Sequence, residues 1–207
     1  LERFRHAFHT ARFAHQRRVF EDDKWNYINH PKPDGYRGIH DVYEYKVSTW
    51  TGRAFNGLLI ELQYRTLLQH TWATAVEVAG LLTHNNPKFG QGSEALIRFF
   101  AIASELLARR YEDRVSCLPH LGDRELVAEF RSLERDTRTL QLFREVNAKA
   151  VNIDFKKNNV LVFPLVPKRE ENASDLRIYS FSYVGPAIEM YNRLEKDLTS
   201  AADVVLV

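Results

Sequence analysis

Residues 60–65 alternate strictly between apolar and polar side chains, and this pattern constrains the fold more than any other feature. The apolar set is Ile60, Leu62 and Tyr64, and the polar set is Glu61, Gln63 and Arg65. Successive side chains of a strand point to opposite faces, so the pattern predicts a β-strand with one buried face and one polar face. An acid, an amide and a guanidinium in one row suit a site for a metal and phosphates, although an ordinary solvent-facing strand gives the same alternation.

The segments on either side of this strand predict a hairpin followed by a helix. Residues 38–47 are rich in β-branched and aromatic side chains and are predicted to pair with residues 57–65. Thr66 and Gln69 then form a Thr-x-x-Gln capping box, which predicts a helix from residue 66 to about residue 82.

Apolar periodicity predicts the remaining elements. A helix is predicted over residues 1–12, because Leu1, Phe4, Ala7, Phe8 and Ala11 recur at helical spacing. Ser93 and Asp123 are expected to cap two further helices, the second carrying Leu126, Phe130, Leu133 and Leu140 as its apolar stripe. Strands are predicted at 160–166, 176–184 and 203–207, with a helix at 186–198.

These elements predict an α/β (α+β) fold, with a mixed, mainly antiparallel sheet flanked by helices. A soft boundary near residue 151 divides a domain over 1–150 from a smaller accessory β-β-α-β module over 151–207. The single cysteine, Cys117, excludes an internal disulfide framework and a thiolate zinc cluster. No apolar run approaches the ~18 residues of a membrane span, so a cytoplasmic location without membrane partners is expected.

The net charge is only +2, but the charge is unevenly distributed. Residues 1–20 contain five arginines and three histidines against one acid, Glu2. Such a segment can face phosphates, or it can lie beside an acidic surface of the same protein, and the sequence leaves both interpretations open.

A stiff loop precedes the first strand of the hairpin. It reads Pro-Lys-Pro-Asp-Gly-Tyr-Arg-Gly-Ile-His over residues 31–40, and its prolines and glycines restrict the backbone to defined turns. Lys32 offers a point charge to phosphate, and the ring of Tyr36 offers a stacking face to a base. In an extended chain Tyr36 and His40 point the same way, although a turn tyrosine and a strand histidine are often purely structural.

On the helix that follows, His70 and Glu77 lie on one face and can extend this polar site. A surface histidine and an ordinary helix acid are equally consistent with their spacing.

Taken together, four blocks within residues 26–73 resemble the synthetase domain of the RelA/SpoT family. They are Asn-Tyr-Ile at 26–28, the 31–40 loop, Glu-Leu-Gln-Tyr-Arg-Thr at 61–66 and His-Thr-Trp-Ala at 70–73. The resemblance implies a nucleotidyltransferase-like core and the activity of a GTP/GDP pyrophosphokinase, which moves pyrophosphate from ATP to the ribose 3′-hydroxyl of GDP or GTP and makes the alarmone (p)ppGpp.

The resemblance also implies roles for individual residues. Tyr36 would stack on guanine, and Lys32 and His40 would contact the acceptor's phosphates. Glu61 would be the catalytic carboxylate, holding Mg²⁺ and helping to activate the 3′-hydroxyl. The remaining substrate-binding candidates are Asp34, Gln63, Arg65 and His70.

The chain departs from the family pattern in several places. Asn26 replaces an Asp, Asp34 an Asn and Gly38 a Ser. The family's ATP-binding motifs normally precede the Tyr-Ile block and are not found in residues 1–25, so this chain is expected to be part of a longer protein. Two alternatives therefore stay open: a toxin-like relative that pyrophosphorylates the 3′ end of tRNA, and a catalytically inactive guanine-nucleotide-binding module. A homo-oligomer is also possible.

Overall fold

The computed structural model describes residues 1–10, 15–18, 24–83, 92–150, 153–154, 156–157, 160–165, 178–197 and 203–206. They fall into two compact units, Leu1–Thr137 and Arg138–Val207. Helices combine with small antiparallel sheets, which confirms the predicted mixed α/β class. Among the described residues, no helix has the length and apolar character that crossing a membrane requires.

A three-stranded antiparallel sheet forms the centre of the first unit. Its strands are β1 (Gln16–Arg17), β2 (Ile39–Glu44) and β3 (Leu59–Tyr64), in the order β1-β2-β3. The register pairs Ile39 with Tyr64 and Glu44 with Leu59. This confirms the predicted hairpin, and the residues of β3 alternate between exposed and half-buried as the sequence indicated.

Four helices accompany this sheet: α1 (Glu2–Thr10), α2 (Leu67–Thr83), α3 (Glu94–Tyr111) and α4 (Asp123–Thr137). The capping box is formed as predicted, because the backbone N–H of Gln69 donates to Thr66 Oγ1 (3.2 Å) and the backbone N–H of Thr66 donates to Gln69 Oε1 (3.0 Å). Ser93 caps α3 through its hydroxyl, which accepts from the N–H of Leu96. The apolar face of α3 forms much of the core and packs against Leu126 of α4.

The helix predicted at the start of the chain is present as α1, but its apolar residues do not face the interior. Phe4 is 73 % exposed and Phe8 45 %, whereas Arg5 is only 4 % exposed. The reason is a buried carboxylate on β2: Asp41 binds the guanidinium of Arg5, with Nη2 and Oδ1 2.8 Å apart, and so turns the basic face of α1 inward. Ala11, another residue of the apolar pattern, lies outside the described residues.

The predicted third helix is interrupted. Arg138 has a positive φ of 51°, a conformation that ends a right-handed helix, and α5 (Thr139–Ala150) begins directly after it. Leu140 therefore belongs to α5. Asp123 is the first residue of α4 rather than the residue before it, and its Oδ1 accepts a hydrogen bond from Arg109.

The second unit contains α5, β4 (Val160–Leu165), β5 (Tyr179–Phe181), α6 (Val184–Asp197) and β6 (Asp203–Leu206). The strands are antiparallel in the order β5-β4-β6, and Val162 and Ala187 form the buried centre of this unit. Within the strand predicted at 176–184, β5 covers Tyr179–Phe181 and α6 begins at Val184, while residues 176–177 lie outside the described residues. The break at Arg138 places α5 in this unit, whereas the sequence-based division came after residue 150.

Candidate functional site

A cleft of about 470 Å³ opens in the first unit between the 31–38 loop, the β2–β3 hairpin and helices α2 and α3. This volume lies within the range of ~300–1,000 Å³ that small-molecule sites occupy. One side is apolar and is formed by Trp72, Ala73, Val76, Ile97 and Phe100. The polar part of the lining comes from the loop and the hairpin, which contribute Lys32, Asp34, Tyr36, His40, Glu61, Gln63 and Arg65, and from α2, which contributes Glu77.

Every site residue named from the sequence lines this cleft except His70. That histidine is exposed on α2 and is not part of the lining. Glu77, its partner in the predicted polar face, does line the cleft.

The 31–38 loop is seated directly on α3 through Gly35. Gly35 has a φ of +93°, and a Cβ built on it would lie 2.8 Å from Ser104 Cβ and 3.0 Å from Ala101 Cα. The hydroxyl of Ser104 donates to the Gly35 carbonyl (2.5 Å). Within the loop the N–H of Tyr36 donates to Asp34 Oδ1 (2.9 Å). Only glycine satisfies both the dihedral angle and the close approach. The contact with α3 therefore fixes the position of the backbone from which the Tyr36 side chain extends.

The polar side chains of the cleft form a closed ring of five contacts, four of which are hydrogen bonds. Arg65 Nε donates to Tyr36 Oη (3.1 Å), and Tyr36 Oη lies 2.5 Å from His40 Nε2. His40 Nδ1 lies 3.4 Å from Glu61 Oε1. Gln63 closes the ring, since it donates to Glu61 and accepts from Arg65. An ionised Glu61 carboxylate can only accept, so a neutral His40 carries its proton on Nδ1, facing Glu61, and its Nε2 accepts from the Tyr36 hydroxyl.

Burial and neighbouring cations keep His40 neutral. Burial lowers the pKa of His40, and the positive charges of Arg65 and Lys32 lower it further, while the Glu61 carboxylate opposes them. Burial also raises the pKa of Tyr36 against the opposing effect of Arg65. The site therefore presents a neutral imidazole and a protonated phenol beside two fixed cations.

Both cations lie close to the Tyr36 ring. Lys32 Nζ is 5.2 Å from the ring centroid, and the guanidinium carbon of Arg65 is also 5.2 Å from it. These distances fall within the ~6 Å over which a cation is attracted to an aromatic face. An anionic group entering here meets positive charge next to an aromatic surface.

Tyr27 belongs to this cluster, although no role was assigned to it from the sequence. Its ring packs edge-on against Tyr36 (centroids 5.6 Å apart) and His40 (5.3 Å), and Lys32 Nζ lies 4.6 Å from its centroid. Asn26 holds it there, since its buried Oδ1 accepts from the backbone N–H of Ile28 (3.2 Å). The signal was present in the sequence, in the Asn-Tyr-Ile block that matches the family pattern.

The basic segment at the start of the chain is engaged within the protein. Arg5, His9 and Arg17 all contact the buried carboxylate of Asp41, at 2.8, 2.7 and 3.4 Å. Arg18 pairs with Glu44 (3.0 Å). Of the two interpretations left open by the sequence, these contacts favour the one in which the segment neutralises acids of the same protein.

Glu61 has the chemistry of a magnesium ligand shared with a substrate. Its side chain is about half exposed in the cleft, and Mg²⁺ usually binds one or two carboxylates together with substrate phosphates. In the part of the chain that the structure describes, no group of three or more His, Cys, Asp or Glu side chains is placed to hold a metal by itself. The donor set thus fits an ion that takes its remaining ligands from outside the protein.

No model of a known protein family matches this chain, and no curated protein matches it. Among solved structures, it is similar to a GTP pyrophosphokinase family protein from Streptococcus pneumoniae. The identity is 22 %, the match covers 72 % of this chain and 60 % of that one, and the TM-score is 0.29. The chain thus spans less than two thirds of the protein it matches.

Proposed function

We propose that the cleft binds the acceptor nucleotide in a pyrophosphate transfer from ATP to the ribose 3′-hydroxyl of GDP or GTP, giving AMP and (p)ppGpp. One observation carries the proposal: Lys32, Tyr36, His40, Glu61 and Arg65, drawn from separate sequence motifs, meet around a single cleft. The motif resemblance supplies the reaction, and the geometry supports the assignment of these residues to one site.

The cleft lining offers contacts for both the base and the phosphates of a nucleotide. The Tyr36 ring offers a stacking face to guanine, a contact worth ~1–3 kcal/mol per base in single-strand binders. The apolar side, with Trp72 and Phe100, excludes water around the base. Lys32 and Arg65 supply charge for the phosphates, Arg65 with a guanidinium that can bind them in a bidentate manner.

In the proposed reaction the 3′-oxygen attacks the β-phosphorus of ATP, and the bond from that phosphorus to the oxygen bridging to the α-phosphate breaks. AMP leaves with the electron pair of that bond. Mg²⁺ held by Glu61 would offset negative charge on the transferred group. Glu61 is also the carboxylate that would orient the 3′-hydroxyl and take up its proton as the new bond forms. Much of the rate in such transfers comes from positioning, which the hydrogen-bonded ring of the cleft provides.

Two other candidate functions compete with this proposal. A tRNA acceptor was suggested by the basic segment of residues 1–20, but Arg5, Arg17 and Arg18 are engaged in ion pairs. A catalytically inactive guanine-nucleotide-binding module would bind GDP in this cleft and transfer nothing.

The test is formation of labelled ppGpp from [γ-³²P]ATP, GDP and Mg²⁺, by the protein in its full-length form and by the Glu61→Gln variant of that form. We expect Glu61→Gln to reduce transfer by about 100-fold or more, the usual effect of losing one group that stabilises transition-state charge. Glu129→Gln, on α4 and outside the cleft lining, is the control and should retain the rate. Equal rates for Glu61→Gln and the unaltered protein would refute the proposal, and GDP binding without any transfer would favour the inactive module.

A further inference from the structure

A buried ion pair lies directly behind the cleft. Arg37 follows Tyr36 in the chain, but its side chain is only 2 % exposed and does not line the cleft. Its Nη1 is paired with Glu112 Oε2, and its Nε donates to Ser104 Oγ (3.0 Å). The side chain of Arg37 therefore joins the 31–38 loop to α3, since Glu112 is the residue that caps the end of that helix.

The second carboxylate oxygen of Glu112 binds a different element. Glu112 Oε1 accepts a hydrogen bond from Thr66 Oγ1 and another from Gln69 Nε2, both 3.0 Å. Thr66 and Gln69 are the two members of the capping box that begins α2. The carboxylate of Glu112 thus accepts hydrogen bonds both from the 31–38 loop and from the junction between β3 and α2.

Two links run in parallel between the same two segments. Inside the cleft, Tyr36 Oη accepts from Arg65 Nε (3.1 Å). Behind the cleft, Arg37 follows Tyr36 in the chain and Thr66 follows Arg65, and both Arg37 and Thr66 bind the carboxylate of Glu112. The spacing between the tyrosine ring and the Arg65 guanidinium is therefore set from both sides.

We propose that Arg37 and Glu112 are positioning residues, which hold the 31–38 loop and the β3–α2 junction at the separation that one nucleotide requires. The identity of that nucleotide rests on the proposed function. Neither residue touches the ligand site, and both act through their chain neighbours Tyr36 and Arg65.

The chemistry of Glu112 explains why a close substitute would fail. Its carboxylate accepts from Arg37, Thr66 and Gln69, and it neutralises a guanidinium that is removed from water. A glutamine offers one acceptor oxygen, turns an NH₂ group towards donors, and leaves the charge of Arg37 uncompensated.

Two measurements on the same proteins test this. Hydrogen–deuterium exchange follows the amides of residues 32–38 and 66–70, and calorimetry follows GDP binding. The first variant is Glu112→Gln. The second combines Arg37→Met with Glu112→Gln; it also removes the buried positive charge of Arg37, and so keeps the test possible if Glu112→Gln alone fails to fold. The control is Glu129→Gln, which breaks the bidentate pair between Arg98 and Glu129 (2.7 and 2.9 Å) elsewhere in the unit.

We expect faster exchange in both segments and GDP binding weakened by about tenfold or more in the Glu112 variants, with neither change in Glu129→Gln. A folded Glu112 variant with unaltered exchange in the two segments, or with unaltered GDP affinity, would overturn the inference. If the unaltered protein does not bind GDP, the proposed function fails, and the exchange of the two segments alone decides on the positioning role.

Discussion

The Tyr36 hydroxyl oxygen and His40 Nε2 lie 2.5 Å apart. Both side chains belong to a ring of contacts that also includes Arg65, Gln63 and Glu61. Each member of the ring sets the orientation of the next. The tyrosine hydroxyl donates its proton to Nε2 of the imidazole. A ligand phosphate that approaches His40 must therefore either replace Tyr36 as the hydrogen-bond partner of Nε2 or add negative charge beside this ring of side chains.

Binding of GDP is predicted to be accompanied by proton uptake at His40. Burial lowers the pKa of His40, so the imidazole is neutral at pH about 7, above the usual histidine pKa of about 6.5. A phosphate placed beside it favours the charged form and raises its pKa in the complex. Affinity should therefore increase as the pH falls through the pKa of the complex, and level off below the pKa of the free protein.

Calorimetry in buffers with different ionisation enthalpies measures this uptake directly. His40→Gln is the control, because it removes the titrating group and leaves only the contribution of the nucleotide itself. A binding enthalpy whose buffer dependence is the same in His40→Gln and in the unaltered protein would rule out proton uptake at His40.

Gly35→Ala is predicted to destabilise the protein more than Gly57→Ala. The two glycines have nearly equal φ angles, 93° and 92°, but a Cβ at Gly35 meets Ser104 and Ala101, whereas a Cβ at Gly57 has nothing within 4 Å. Gly57→Ala should cost about 1–2 kcal/mol from backbone strain alone, and Gly35→Ala the same plus the cost of displacing the loop from α3. Urea unfolding of both variants measures the difference, and equal losses would mean that the loop does not depend on this contact.

Asp41→Asn is predicted to lower the free energy of unfolding at pH 7 by about 3 kcal/mol or more, because it leaves Arg5 buried without a counter-charge. Burial alone would raise the pKa of Asp41, but the hydrogen bonds from Arg5 and His9 outweigh it and hold the pKa below its usual value. A carboxyl whose pKa is lower in the folded state contributes its full stabilisation above the unfolded pKa of about 3.9. That contribution is lost as the pH falls through the folded pKa.

The difference between Asp41→Asn and the unaltered protein should therefore shrink in acid, as urea unfolding across this pH range will report. Glu44→Gln, on the same strand, is the matched control: it breaks the more exposed pair with Arg18 and should change stability by no more than about 1 kcal/mol. A pH-independent loss in Asp41→Asn would show that the carboxylate charge is not what stabilises this contact.

Local signals account for the elements that the sequence predicted well. The capping box of Thr66 and Gln69 spans three residues, and the alternation in β3 repeats every two, so both can be seen without knowing the fold. The same holds for the side chains from Lys32 to Arg65 that line the cleft, because a loop and a hairpin bring them together over a short stretch of chain.

The contacts that the sequence did not predict join residues far apart in the chain. Arg37 and Glu112 are 75 residues apart, and Arg5 and Asp41 are 36 apart. An amphipathic pattern reports which side chains are apolar, but it does not report a buried acid on another element. Asp41 is that acid for α1, and it reverses the orientation that Phe4 and Phe8 suggested.

Titration of GDP into the protein and into its Tyr36→Ala variant, by calorimetry, tests the central claim most directly. The account predicts saturable binding to the unaltered protein, weakened in Tyr36→Ala by about tenfold or more, since base stacking contributes ~1–3 kcal/mol. No binding of GDP to the unaltered protein, or equal binding by both proteins, would contradict it.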